Sequence, residues 1–225
     1  MILVVDAIPD PDHRAAITER IALLEWRDGR ETAGAVARAV KRNEQAAMEG
    51  PAGRALKEEL SRILADHPVV RAAAQPRRFS SLLISRTGEG GGYGAHVDNA
   101  LMGKGAGRVR TDLSFTLFLT PPGEYDGGEL AIHTAGTTQE VKGEAGSMVL
   151  YPSGAIHEVR PVTRGTRIVC VGWIESMIAD PARRELLFDL ENLRASLRAQ
   201  LPGQSAELLT LDKTIAGLLR MWAHA

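Results

Sequence analysis

The feature that most limits the fold is a change of periodicity near Arg77. Upstream, apolar residues recur at helical spacing: Ile17, Ile21 and Leu24 in one segment, then Leu56, Leu60, Ile63 and Leu64 after Pro51. Downstream the chain breaks into short β-type runs: Arg78–Ser85, Tyr93–Asp98, Leu113–Leu119, Glu129–His133, Ser147–Leu150, Ile156–Arg160 and Thr166–Ile174. Turn signals separate them, among them Gly88–Gly92, Pro121-Pro-Gly, Asp126-Gly-Gly, Lys142-Gly, Pro152-Ser-Gly and Arg164-Gly. Short strands punctuated in this way close into a sandwich or barrel, and a jelly roll is one such closure. The expected class is mainly β with flanking helices.

The flanks have their own signals. Ile2–Val5 predicts a short strand, Trp26–Glu49 a less regular segment, and Pro68 the end of the second helix. Asp180-Pro181 reads as a helix start, Asp as cap and Pro in the first turn. Leu186, Leu190, Leu193, Leu197 and Leu201 alternate spacings of four and three, Pro202-Gly203 interrupts, and Leu208, Leu211, Ile215, Leu218 and Trp222 resume. The short break predicts an antiparallel helical hairpin. The expected organisation is a domain over residues 1–178, with its jelly-roll core at about 77–175, and a helical extension over 179–225. The hairpin is expected to pack on the barrel; a homodimer through these helices is the alternative.

Charge and composition narrow the function classes. The 225 residues are 44% hydrophobic, enough for a full core. A net charge of −1 and 4% aromatic residues argue against nucleic acid as the partner, since phosphate binding and base stacking both need residues used sparingly here. The single cysteine, Cys170, excludes an intramolecular disulfide and fits a reducing compartment. Met1 leads into Ile-Leu-Val-Val-Asp with no basic or long apolar region, and no apolar run is long enough to cross a bilayer. A cytoplasmic location is expected.

The chemistry concentrates in Gly90–Asn99, which carries His96 and Asp98 one residue apart. On a strand, side chains at i and i+2 share a face, so imidazole and carboxylate converge. His157, on another expected strand, is the best third ligand. Two histidines and one carboxylate form the facial triad of non-haem iron oxygenases, which leaves three coordination positions for a bidentate 2-oxo acid and dioxygen. Ten residues beyond His157 stands Arg167, on the face it shares with Val169, Val171 and Trp173. An arginine among apolar residues needs a partner. A bound carboxylate suits its planar fork, and an internal salt bridge is the alternative.

Four stretches then carry a resemblance: Tyr93-Gly-Ala-His-Val-Asp-Asn-Ala100, Arg110-Thr-Asp-Leu-Ser-Phe-Thr-Leu-Phe-Leu119, Tyr125-Asp-Gly-Gly-Glu-Leu130 and His157-Glu-Val-Arg-Pro-Val-Thr-Arg-Gly-Thr-Arg167. From Arg77 to Trp173 the chain resembles 2-oxoglutarate- and Fe(II)-dependent dioxygenases of the prolyl-4-hydroxylase type. Over nearly its whole length it resembles the bacterial PKHD-type hydroxylases, with Trp26-Arg-Asp-Gly, Thr32-Ala-Gly and Leu187-Phe-Asp-Leu190 extending the match. The resemblance implies a double-stranded β-helix, Fe(II) on His96, Asp98 and His157, the distal carboxylate of 2-oxoglutarate on Arg167, and ascorbate as an aid in keeping iron ferrous. Catalysis is expected to need no residue beyond the metal centre, and the substrate to be an unidentified small molecule or peptide. Family members often carry tyrosine where this chain has Thr87. Related halogenases put a small residue at the carboxylate position, so Asp98 favours hydroxylation. The competing readings are a non-catalytic cupin-like module that stores or senses iron and a nucleic-acid demethylase on the same fold.

Other residues are given plainer roles. His133 is expected to be hydrogen-bonded at a strand end, His13, His67 and His224 to be exposed, and Cys170 to pack away from the site. Gly127 and Gly128 are expected to serve a turn. Tyr93, three residues before His96, is expected to face away from the site. Asn99–Arg110, made basic by Lys104, Arg108 and Arg110, is either a lid or an ordinary solvated connection.

Overall fold

The structure, a computed structural model, describes residues 1–32, 38–103 and 105–224. Ala33-Gly34 of the N-terminal motif and Lys104 of the basic loop lie outside the described residues.

The first strands are β1 (Leu3–Asp6), β2 (Trp26–Asp28), β3 (Lys41–Arg42) and β4 (Glu44–Ala46). Next come β5 (Pro76–Phe79), β6 (Leu83–Thr87), β7 (Gly92–His96), β8 (Leu101–Met102), β9 (Val109–Arg110) and β10 (Leu113–Phe118). The last are β11 (Tyr125–Gly127), β12 (Leu130–Thr134), β13 (Thr137–Val141), β14 (Ser147–Pro152), β15 (Ile156–Val159), β16 (Val162–Gly165) and β17 (Arg167–Ser176). The helices are α1 (Pro11–Ala22), α2 (Pro51–Asp66), α3 (Pro68–Ala74), α4 (Pro181–Arg198) and α5 (Ala206–Trp222).

Two antiparallel sheets hold the core. The larger runs β1-β14-β10-β17-β6-β4-β2, with β5 also paired to β17; the smaller runs β13-β12-β15-β7-β3. From β6 onward the chain steps between them: β6 in the larger, β7 in the smaller, β10 back, β12 and β13 across, β14 back, β15 across, β17 back. That alternation is the winding of a jelly roll.

β10 and β17 show why the sequence adopts it. Leu113 and Leu117 of β10, with Cys170 and Ile174 of β17, join a core with Ile17 and Ile21 of α1, Leu56, Leu60 and Leu64 of α2, and Val70 of α3. Their alternates Ser114, Thr116, Val169 and Val171 face a cavity shared with the smaller sheet. The larger sheet is thus buried on both sides, which is why all six residues of β10 are buried. Each large side chain so enclosed contributes roughly 1.5–3 kcal/mol.

Several boundaries differ from expectation for local reasons. Pro68 begins α3 rather than merely ending α2: its ring excludes His67 from helical geometry, and the His67 ring caps the new helix at Val70 N. The expected strand Arg78–Ser85 splits into β5 and β6, and Trp173 N donates to Ser80 Oγ at the break. Trp26–Glu49 contains β2, β3 and β4, too short and polar to show a period. β13 is exposed over four of its five residues, so no apolar alternation announced it.

The C-terminal helices form the expected hairpin. Asp180 Oδ1 accepts from Ala182 N at 2.8 Å and Arg183 N at 3.2 Å, capping α4. Ser205 caps α5. Ile178, Leu187 and Ile215 make a separate small core, and α4 also packs on α3. Leu186 and Leu193 remain 48% exposed.

Candidate metal centre

β7 ends at His96, so Asp98 lies just beyond the strand rather than on it. The two side chains still converge, because the larger sheet holds the carboxylate. Ser114 Oγ on β10 donates to Asp98 Oδ2 at 2.6 Å and lies 2.8 Å from Ser153 Oγ. His157 on β15 sits directly across from His96 in the ladder. Each offers one ligand atom, all within 4.8 Å of one another. His96 Nε2 is 3.9 Å from Asp98 Oδ1, and His157 Nε2 is 3.7 Å from Asp98 Oδ2.

Both imidazoles are held the same way. Nδ1 of His96 bonds Gly94 O at 2.8 Å, and Nδ1 of His157 bonds Ala155 O at 3.0 Å. A carbonyl accepts only, so the proton stands on Nδ1 and the Nε2 lone pair faces the cluster. Burial, then the neighbouring His157, lowers the pKa of His96 and keeps the ring neutral. Two imidazoles and a carboxylate beside a cavity match the donor set that divalent iron takes.

Arg167, at the start of β17, lines the same cavity of about 590 Å³. It is 3% exposed, its guanidinium stands 5.6 Å from the Phe118 ring centre, and its Nε has no hydrogen-bond partner. Among the described residues it forms no ion pair, so the internal salt bridge is not realised. Burial lowers its pKa, opposed by the Tyr125 and Tyr151 hydroxyls. Gly127 and Gly128 make the expected turn at φ +69° and +70°; a Cβ on Gly128 would stand 3.0 Å from Arg167 Cδ.

Tyr93 overturns its expectation. Its ring stacks on His96 with centres 3.6 Å apart and planes 16° apart, and it lines the cavity. The reason is a bulge. His157 pairs with His96 but Val159 pairs with Tyr93, so Gly94 and Ala95 together face Glu158 alone. The extra residue returns Tyr93 to the face of His96.

The remaining candidates fall as follows. Thr87 is 3% exposed, lines the cavity and pairs with Arg167 across the sheet. His133 bonds Thr138 Oγ1 at 2.9 Å. His224 is exposed, but His13 and His67 are half-buried: His13 bonds Glu59 and His67 caps α3. Cys170 is buried on the helix side, away from the cavity. The Asn99–Arg110 loop is a small hairpin of β8 and β9 whose Met102 and Val109 line the cavity. Arg110 fixes its base on Asp112 Oδ1 at 2.8 Å and Ser176 O at 3.0 Å. Lys41, Asn43 and Gln45 also line the cavity and escaped sequence reasoning, since their segment shows no period.

Comparison with known proteins gives this geometry a context. The sequence model of the 2OG-Fe(II) oxygenase superfamily matches residues 82–175. A PKHD-type hydroxylase of Hyphomonas neptunium is 52% identical over 222 residues, covering 99% of each chain. One of Synechococcus elongatus is 47% identical over the full length of both. Among solved structures, a 2OG-Fe(II) oxygenase family oxidoreductase from Burkholderia pseudomallei aligns with a TM-score of 0.57 at 20% identity, covering 77% of this chain and 85% of that one. A Pseudomonas putida prolyl-4-hydroxylase gives 0.52 at 21% identity, covering 78% and 92%. These distant structures speak to the fold alone. Identity sustained from end to end, with the His-Asp-His cluster in place, means that the chain belongs to the PKHD-type hydroxylases of the 2OG-Fe(II) oxygenase superfamily.

Proposed function

We propose that His96, Asp98 and His157 bind Fe(II), that Arg167 binds the distal carboxylate of 2-oxoglutarate, and that the enzyme hydroxylates a small molecule or peptide with release of succinate and CO2. The observation that carries this assignment is one cavity holding both a three-donor cluster and a buried arginine whose Nε has no protein partner. When bound, iron with 2-oxoglutarate and dioxygen supplies the oxidising power for attack on a C–H bond. The chain's residues do the rest. Gly94 O and Ala155 O set the tautomers, Ser114 orients the Asp98 carboxylate, and Arg167 positions the cosubstrate by a charge-assisted fork. A module that only stored or sensed iron has no use for Arg167 in this place.

The test is anaerobic addition of 2-oxoglutarate to the Fe(II) protein, followed by air. A metal-to-ligand absorption band, then succinate, is expected; absence of both would defeat the assignment.

The proposal includes ascorbate as the reductant that keeps iron ferrous and a cytoplasmic location suited to the single reduced cysteine. No helix among the described residues is long and apolar enough to cross a membrane. Nucleic acid is not the proposed substrate. The half-exposed Leu186 and Leu193 are where a homodimer through α4 would form, which sedimentation at several concentrations would test.

A further inference from the structure

One turn reaches two of the three proposed metal ligands. After β14 the chain passes through Ser153-Gly-Ala155, where Ala155 N donates to Pro152 O at 3.0 Å, and enters β15 with His157. Ala155 O holds Nδ1 of His157 at 3.0 Å. Ser153 Oγ lies 2.8 Å from Ser114 Oγ, and Ser114 Oγ lies 2.6 Å from Asp98 Oδ2.

Chemistry fixes the order of protons along these oxygens. An ionised carboxylate only accepts, so the single hydroxyl proton of Ser114 goes to Asp98. Ser114 Oγ then has only lone pairs to offer Ser153, and Ser153 must be the donor. The order runs from Ser153 to Ser114 to Asp98, and each donation polarises and strengthens the next. Both serines are enclosed, Ser114 at 2% exposure and Ser153 at 3%. Ser114 lines the cavity, whereas Ser153 is not among its described lining residues. Ser153 is itself held in place. Its N donates to Asp112 O at 3.3 Å, and the Asp112 carboxylate accepts from Arg110 Nε and Ser176 N.

We propose that Ser153 is a positioning residue for the metal: by donating to Ser114 it keeps that hydroxyl turned to Asp98 Oδ2, so that the carboxylate offers the ion one oxygen, Oδ1, in a fixed orientation. This rests on the proposed iron assignment. A carboxylate free to turn and offer both oxygens would take a coordination position that the cosubstrate or dioxygen needs. Ser153 acts without touching the ion, the cosubstrate or the cavity. The competing role is simple filling of space at a turn.

The test is anaerobic titration of Fe(II) in saturating 2-oxoglutarate, read by the metal-to-ligand absorption band, for wild type, S153A, S153C, S114A and S114A/S153A. Urea unfolding of the metal-free proteins shows that each is folded. S153A should weaken Fe(II) binding by about threefold to tenfold, less than the loss of the direct partner Ser114, and should move the band in the same direction as S114A does. S153C fills the space with a weak donor and should show the same loss. The double variant should match S114A, because Ser153 acts only through Ser114. Wild-type affinity in S153A overturns the inference. So does wild-type affinity in S153C, which would make Ser153 a filler of space, or a loss in S153A that adds in full to that of S114A. Should S153A fail to fold, S153C decides by the same criteria. Failure of the wild type to bind Fe(II) and form the band would instead count against the iron and 2-oxoglutarate assignment.

Discussion

At the scale of single residues, the site rests on groups whose protonation and orientation are fixed in advance. R167M should weaken 2-oxoglutarate binding by about a hundredfold or more, because a charge-assisted fork is lost and the cosubstrate carboxylate is left unpaired in a buried place. R167K should recover only part of this; titration of the absorption band measures both. S114A should lower Fe(II) affinity by about tenfold, since it frees the Asp98 carboxylate to turn. Lys41 gives a pH signature. Its folded pKa of about 8 lies below its ordinary 10.5, so between these values the unfolded chain holds the proton more tightly. Stability from this group therefore rises with pH across that window. The difference in unfolding free energy between wild type and K41Q should shift in favour of the wild type from pH 8 to pH 10 in urea titrations; a flat difference would contradict it. Burial pushes the Cys170 thiol up to about 12, so a thiol reagent at pH 8 should label it only after unfolding. The gathering of His96, Asp98, His157 and Arg167 in one cavity was legible in the sequence, because few residue types suit a metal or a carboxylate. Ser114, Ser153 and Lys41 were not, because serine and lysine occur everywhere and only the fold brings these to the site.

At the scale of elements, alternation was a good guide until the ladder departed from it. Parity placed Arg167 and Cys170 on opposite faces of β17 correctly, because that strand is regular beside β10. It misplaced Tyr93, because Gly94 and Ala95 bulge against Glu158, and a bulge leaves no mark in apolar spacing. Gly94 is the weak point of this device. A Cβ there would come within 2.9 Å of Val40 Cβ, so G94A should destabilise the fold by about 1–3 kcal/mol and disturb the Tyr93–His96 stack. Thermal unfolding with and without Fe(II) would separate the two effects. Deleting Ala95 should be milder than inserting a residue beside it, since the deletion restores ordinary alternation with Tyr93 and His96 still on one face.

At the scale of the whole molecule, the jelly-roll class was readable because its turns are spelled by glycine and proline and its strands are short. How the larger sheet acquires helices on one side was less readable. It depends on a core that gathers residues as distant in sequence as Ile17 and Ile174, which no local window contains. β10 and β17 then serve two clients at once. One set of their side chains meets the helices and sets stability; the alternating set meets the cavity and sets chemistry. Because neighbouring positions answer to different demands, a lineage could change what this cavity accepts through Thr116, Val169 or Val171 while leaving Leu117, Cys170 and Ile174 untouched. The face that lines the cavity can therefore diverge at a rate unconnected to the face that keeps the protein folded.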